Sequence, residues 1–297
     1  MSSAATAIHS GFMTTSRDYI ELTKARIVML VLITTGAGYL AAGLPVHAIT
    51  LLHTLIGTAL LAGGTNALNQ YLEREYDRHM KRTRLRPLPD GRIAPRAALL
   101  FAASSAIVGT LYLGLLVNWL TAFLGAFTLV SYAFLYTPMK RTSTLCTIVG
   151  AVPGAIPPMM GWAAATGSLS AGAWILFGIL FLWQMPHFMA ISWIYREDYG
   201  RAGFVMLAVQ DPRGDATARQ AVIWCMTLLP VSLLPFYAGM TGIIYFTLAL
   251  VSGLFFLAAA LNFFRHRDNR HAKKLFMTSN LYLMAIMTLL VVAVRAA

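Results

Sequence analysis

Charge is what this chain has least of. Only 11% of its 297 residues are Asp, Glu, Lys or Arg, against roughly a quarter in ordinary soluble domains. Cysteine is nearly absent as well. Cys146 and Cys225 stand alone near or within apolar stretches, without CxxC spacing or a disulfide framework, and read as packing residues. Alternation of polar and apolar residues, the mark of a transmembrane barrel, is missing too. The first sixteen residues lack a basic start, an apolar core and a cleavage site in that order, and they contain no Arg. Neither a secretory signal nor a mitochondrial transit peptide is expected there; a flexible tail is.

What the chain has instead is long apolar runs, and 58% of it is hydrophobic. Many runs reach the roughly 20 residues that carry a helix across a bilayer. Expected spans are Ala25–Ala42, Ala48–Leu72, Pro95–Leu116, Trp119–Thr137, Leu145–Thr166, Ser170–Tyr195, Ala221–Tyr237, Ile243–Phe264 and Leu275–Val294. Inside a bilayer only a helix satisfies its own backbone without closing into a barrel. The expected fold is therefore an all-α integral membrane bundle of about nine helices, one transmembrane domain over residues 1–297.

The net charge of +12 has an ordered distribution. Lys and Arg gather before span 1 and in the connections 2–3, 4–5, 6–7 and 8–9, while the alternate loops carry none. That pattern places the N-terminus in the cytoplasm and, with an odd helix count, the C-terminus on the opposite side. It accounts for the basicity without nucleic acid. A bacterial inner membrane is the simplest location. All eleven acidic residues share the basic side, although orientation does not require it, since Asp and Glu contribute little to topology. Acidic residues among basic ones point to a site facing the cytoplasm.

The sharpest constellation continues span 2. Asn69, Glu73 and Asp77 are spaced four apart, and at about 100° per residue each step turns only about 40°, so the three share one stripe. Hard cations such as Mg²⁺ take oxygen ligands, commonly carboxylates together with substrate phosphates. Lys81, Arg82, Arg84 and Arg86 follow at once and suit the same phosphates. The plainer reading is a solvated helix end with pairs such as Asp77–Lys81. Carboxylates at the inner end of a membrane helix are costly unless they face a wet cavity, which favours the site.

Taken together, these residues resemble the haem O synthases (protohaem IX farnesyltransferases), a branch of the UbiA-type intramembrane aromatic prenyltransferases. Asn69-xxx-Glu73-xxx-Asp77 is similar to the superfamily's Asn-xxx-Asp-xxx-Asp motif, and Met80 to Arg92 resembles the branch's own signature. So does Leu22-Thr23-Lys24-Ala25-Arg26, with Ala25 where the branch usually has proline. Tyr136 to Thr142, Gly150 to Trp162, and Trp183 to Phe188 with Arg196 to Tyr199 extend the likeness, which runs from about Leu22 to Gln220. Glu73 and Glu75 depart from it, standing where aspartates are more common.

The resemblance implies transfer of the farnesyl group of farnesyl diphosphate to a vinyl group of haem b, with water added, giving haem O. It implies Mg²⁺ on Asn69, Glu73 and Asp77, a second metal on Asp198, and diphosphate held by Lys81, Arg82, Arg86, Lys140, Arg141 and Arg196. The implied partners are both substrates, the bilayer, and haem A synthase or terminal oxidase assembly factors. An allylic diphosphate ionises when its leaving charge is neutralised, and a dry bundle shields the resulting cation.

His187 lies in an aromatic, Met-rich part of span 6. Such a histidine is more often packed than ligating, yet an ionisable residue inside a span is a site by default, and imidazole is a common haem ligand. His187 is therefore the candidate haem contact, and His53 is assigned to packing. The Gly/Pro-rich run Gly150–Gly161 suits close helix packing, and the methionines are assigned to filling gaps. Two other readings remain open: a relative acting on a quinone precursor or other aromatic acceptor, and a secondary transporter. Clustering of charge at one face argues against the latter.

Overall fold

The computed structural model describes residues 16–296, with side chains to residue 294. The expected N-terminal tail lies outside the described residues, apart from Ser16, which opens a short helix over 16–23. Nine principal helices follow among the described residues: α1 (Ala25–Ala41), α2 (Ala48–Asp77), α3 (Pro95–Leu116), α4 (Trp119–Met139), α5 (Cys146–Thr166), α6 (Ala171–Ile194), α7 (Asp215–Tyr237), α8 (Ile243–His266) and α9 (Asn269–Ala296). Eight are long and apolar enough to cross a membrane, and α1 is a shorter apolar helix. Large apolar side chains such as Leu100, Leu115, Ile244 and Phe255 face outward, as a hydrocarbon surround allows and water does not.

Local chemistry sets the helix ends. Pro95 opens α3, where its missing N–H costs nothing. The Asn118 side chain caps α4 by accepting from the Thr121 N–H. Gly167 closes α5 in the left-handed conformation. Three helices run well past their expected apolar limits, by five or six residues each. α2 continues to Asp77, α7 starts at Asp215, and α9 starts at Asn269. In each the extension is polar and lies where charged connections meet. Asp268 caps α9 through the His271 N–H, and Asp211 accepts from both the backbone and hydroxyl of Thr217.

The helices form two groups. α1 to α5 close on themselves, with α5 packed on α1; α6 to α9 do the same, with α9 packed on α6. The groups meet where α5 touches α6 and α9 touches α1. Close approach of α2 and α3 depends on Gly109, since a Cβ there would lie 2.6 Å from the Leu61 backbone nitrogen. Cys146 and Cys225 are both buried and unpaired. His53 Nδ1 lies 2.7 Å from the Tyr112 hydroxyl across α2 and α3, the packing role expected of it.

A layer of connections covers one end of the bundle. The 2–3 connection folds back so that Leu88 and Ile93 join Leu22, Ala67, Ala98 and Ala102 in a small apolar core. Met80 packs with Cys146, Ala202, Phe204 and Met206 in another. Polar ties complete the layer: Arg92 pairs with Asp18 and Glu21, and the Val205 N–H donates to the Lys140 carbonyl. These contacts bring four sequence-distant basic segments over the C-terminal end of α2.

Candidate active site

The stripe on α2 is intact and enclosed. Asn69, Glu73 and Asp77 are 1%, 6% and 0% exposed, because the 2–3 connection, the α4–α5 turn and the segment before α1 close around them. Each meets a cation. Lys24 Nζ donates to Asn69 Oδ1 at 2.8 Å, Lys140 Nζ to Glu73 Oε1 at 2.6 Å, and Arg86 to Asp77 Oδ2 at 2.7 Å. Isolated buried carboxylates would be very costly, and these pairs offset that cost.

Lys24 reaches its place through its neighbours. The Asn66 side chain donates to the Thr23 carbonyl and Gln70 to the carbonyls of Glu21 and Leu22. Lys24 itself is left-handed at φ 54° where helix 16–23 turns into α1. Its ammonium is lowered to about 7 by burial and by the nearby Arg86 charge. Lys140 moves the other way. Burial opposes its charge, but the Glu73 carboxylate holds the ammonium well above its usual range.

α4 supplies one wall. Residues Ser131–Tyr136 form a π turn, a feature common at functional sites. It aligns Thr137, whose hydroxyl accepts from Asn69 Nδ2 and donates to the Tyr132 carbonyl. Tyr136 lies 4.5 Å beneath the Lys140 ammonium, and Phe204 of the 6–7 connection lies 5.9 Å away. A cavity of about 100 Å³ opens here, lined by Glu73, Tyr76, Phe134, Thr137, Arg141 and Phe204 among others. Polar groups thus meet an apolar wall.

The other expected residues divide. Arg141 bonds the Tyr76 hydroxyl and lies over its ring beside the cavity. Asp198, on the short helix Arg196–Arg201, accepts from the Arg82 N–H and from Arg201, so it is brought to the 2–3 connection. Arg82 lies over Tyr195 at 5.0 Å, and Lys81 is exposed. Arg196 turns aside, donating to the Trp193 carbonyl and Asn269 Oδ1. His187 stands apart between α6 and α9, with Nδ1 2.8 Å from the Ser279 hydroxyl and its ring 4.9 Å from both Trp183 and Phe276.

A hard divalent cation fits the stripe. Asp77 Oδ1 is buried and has no hydrogen-bond partner, and buried polar atoms without partners are rare. The donors are oxygens of the kind Mg²⁺ prefers. Among the described residues no three or more His, Cys, Asp or Glu come together as a group that could hold a metal ion, so the stripe offers only two carboxylates and an amide. Substrate phosphates would have to complete the ligand set, as is usual for Mg²⁺.

Residues 30–286 match the UbiA prenyltransferase family. The chain belongs to that family. It is 51% identical over 278 residues to the protoheme IX farnesyltransferase of Solibacter usitatus, covering 90% of this chain and 95% of that one. It is 44% identical to the enzyme of that name from Koribacter versatilis, covering 90% of each chain. The mitochondrial protoheme IX farnesyltransferase of Arabidopsis thaliana is 40% identical over 92% of this chain and 64% of its own. Among solved structures, a digeranylgeranylglyceryl phosphate synthase superposes with a TM-score of 0.79 at 17% identity, covering 95% of this chain and 99% of that one. A UbiA homologue from Archaeoglobus fulgidus bound to GPP and Mg²⁺ gives 0.65 at 12% identity, over 92% and 99%. At such identities the likeness is one of fold, and the nine-helix bundle is a family fold.

Within this family bundle, Lys24, Thr137 and Gln70 are the participants that the motif reading passed over. Lys24 had a signal, since it sits in the Leu22–Arg26 block, but its contact with Asn69 spans 45 residues. Thr137 likewise sits in the Tyr136–Thr142 block, but its contact with Asn69 spans 68 residues.

Proposed function

We propose that this protein transfers the farnesyl group of farnesyl diphosphate to a vinyl group of haem b with addition of water, yielding haem O for terminal oxidase assembly. The reaction takes place at the cytoplasmic face of a bacterial inner membrane, with the N-terminus inside and the C-terminus outside. The carrying observation is the buried Asn69–Glu73–Asp77 stripe ringed by Lys24, Arg86 and Lys140. The names of relatives 40–51% identical support the acceptor.

In this reading the C1–O bond of the farnesyl diphosphate breaks and the diphosphate keeps the electron pair. The vinyl π electrons attack the allylic carbon, and water adds to the resulting cation and loses a proton. Mg²⁺ would neutralise the leaving group when bound, held by Asn69, Glu73 and Asp77, with Asp198 holding a second ion. Arg86 and Lys140, with Arg82, Arg141, Lys81 and Arg196 at the rim, bind diphosphate oxygens and orient them. Tyr136 and Phe204 offer ring faces to a developing cation, and the layer of connections limits water. His187 contacts haem: Ser279 holds Nδ1, which leaves Nε2 as the nitrogen to meet iron. Haem A synthase or oxidase assembly factors would receive the product.

The test is incubation of membranes holding this protein with haem b, farnesyl diphosphate and Mg²⁺, followed by mass analysis of extracted haems. A farnesylated, hydrated haem that disappears with EDTA is expected. No haem product from well-folded protein would overturn the acceptor. For His187, a His187→Ala variant should bind haem with an altered absorption spectrum, and an unchanged one would remove that contact.

A further inference from the structure

Each ligand-bearing residue on α2 is occupied by a different cation, and each cation comes from a different segment. Lys24 precedes α1, Arg86 lies in the 2–3 connection, and Lys140 lies in the α4–α5 turn. Their backbones are anchored while their side chains are long. Asn66 and Gln70 hold the segment before Lys24, the Lys140 carbonyl accepts from the Val205 N–H, and the Arg86 N–H donates to the Thr83 carbonyl. Each cation can therefore leave its carboxylate or amide oxygen without moving the chain.

The charge balance decides when it would. Three cations face the two carboxylates Glu73 and Asp77, so the cluster carries one excess positive charge when all are ionised. A divalent ion arriving alone adds to that excess in a buried place, where repulsion is poorly screened. A trianionic diphosphate carrying one Mg²⁺ brings a net charge of about minus one and cancels it. Resting on the reading of this stripe as a diphosphate site, we propose that Lys24, Arg86 and Lys140 stand in for the metal on Asn69, Asp77 and Glu73. They exchange onto the diphosphate only when metal and diphosphate enter together. Lys24 thereby joins the diphosphate-binding set, and metal and diphosphate each bind weakly without the other.

The experiment is titration calorimetry on the purified full-length protein in detergent, with Mg²⁺ alone, inorganic pyrophosphate alone, and each in the presence of the other. After correction for the magnesium–pyrophosphate complex in solution, pyrophosphate should tighten Mg²⁺ binding by about tenfold or more. Lys24→Met and Lys140→Met should each bind Mg²⁺ alone more tightly than the wild type, yet bind the magnesium–pyrophosphate pair more weakly. A merely structural lysine would weaken both. Thermal unfolding of each variant checks that it is folded, and Lys24→Arg, which keeps the charge, should retain the coupling. Independent binding of Mg²⁺ and pyrophosphate would overturn the exchange while leaving the diphosphate site standing. Pyrophosphate that binds under no condition would overturn both.

Discussion

At the scale of residues, Asp77 is the centre of the arrangement. Its side chain is fully enclosed, one oxygen is bound by Arg86, and the other has no partner. A buried carboxylate oxygen left open is costly unless something else binds it. Asp77→Asn keeps the shape and an acceptor for Arg86 but removes the charge. It should lower farnesyl transfer by about 100-fold or more, the scale on which a charge-stabilising group contributes, with protein level in membranes unchanged. Wild-type turnover from Asp77→Asn would end the metal role assigned to it. Glu73 illustrates a different point. Its extra methylene relative to aspartate is accommodated by Lys140, which reaches it at 2.6 Å while lying over Tyr136. Neither partner is visible from the helical stripe alone.

At the scale of elements, α2 and α4 carry the site between them. α2 is legible from sequence because a step of four residues keeps side chains on one face, whatever surrounds them. α4 is not. Its apolar run predicts a plain helix to Thr137, whereas residues Ser131–Tyr136 form a π turn. That turn holds one residue more than an α-helical turn would, and it sets the facing of Thr137 and Lys140 toward α2. Deleting Leu135, whose side chain faces outward and is not part of the cavity lining, should restore α-helical register and rotate those two residues away. Farnesyl transfer should fall by about 100-fold, as expected for misplaced groups, while the circular dichroism of the bundle stays the same. Unimpaired activity would mean that the π turn has no part in positioning.

At the scale of the whole molecule, the basic connections fold together over the C-terminal end of α2, and the proposed function places that end in the cytoplasm. Orientation can be read by labelling in a variant lacking Cys146 and Cys225. Ser168→Cys, on the exposed α5–α6 turn, should react with a membrane-impermeant maleimide added to intact spheroplasts. Arg270→Cys, at the exposed α8–α9 end, should react only in inverted vesicles. The reverse pattern would place the active site on the outer face.

Membrane class, the nine apolar helices and the carboxylate stripe are legible along the chain, because length, hydropathy and helical period are properties of neighbouring residues. The sequence also carried the family likeness, in short blocks such as Met80–Arg92. Which cation meets which ligand was decided by the tertiary structure alone. Lys24 and Asn69 are 45 residues apart, and Lys140 and Glu73 are 67 apart. Their meeting depends on how the connections fold back: Leu88 and Ile93 bury themselves beside Leu22, and Phe204 packs on Met80. Arg196 shows the same dependence in reverse, since its charge suits phosphate but packing turns it to Trp193 and Asn269. Charge in a sequence announces what a residue can bind, and only the burial of apolar neighbours settles where it is held.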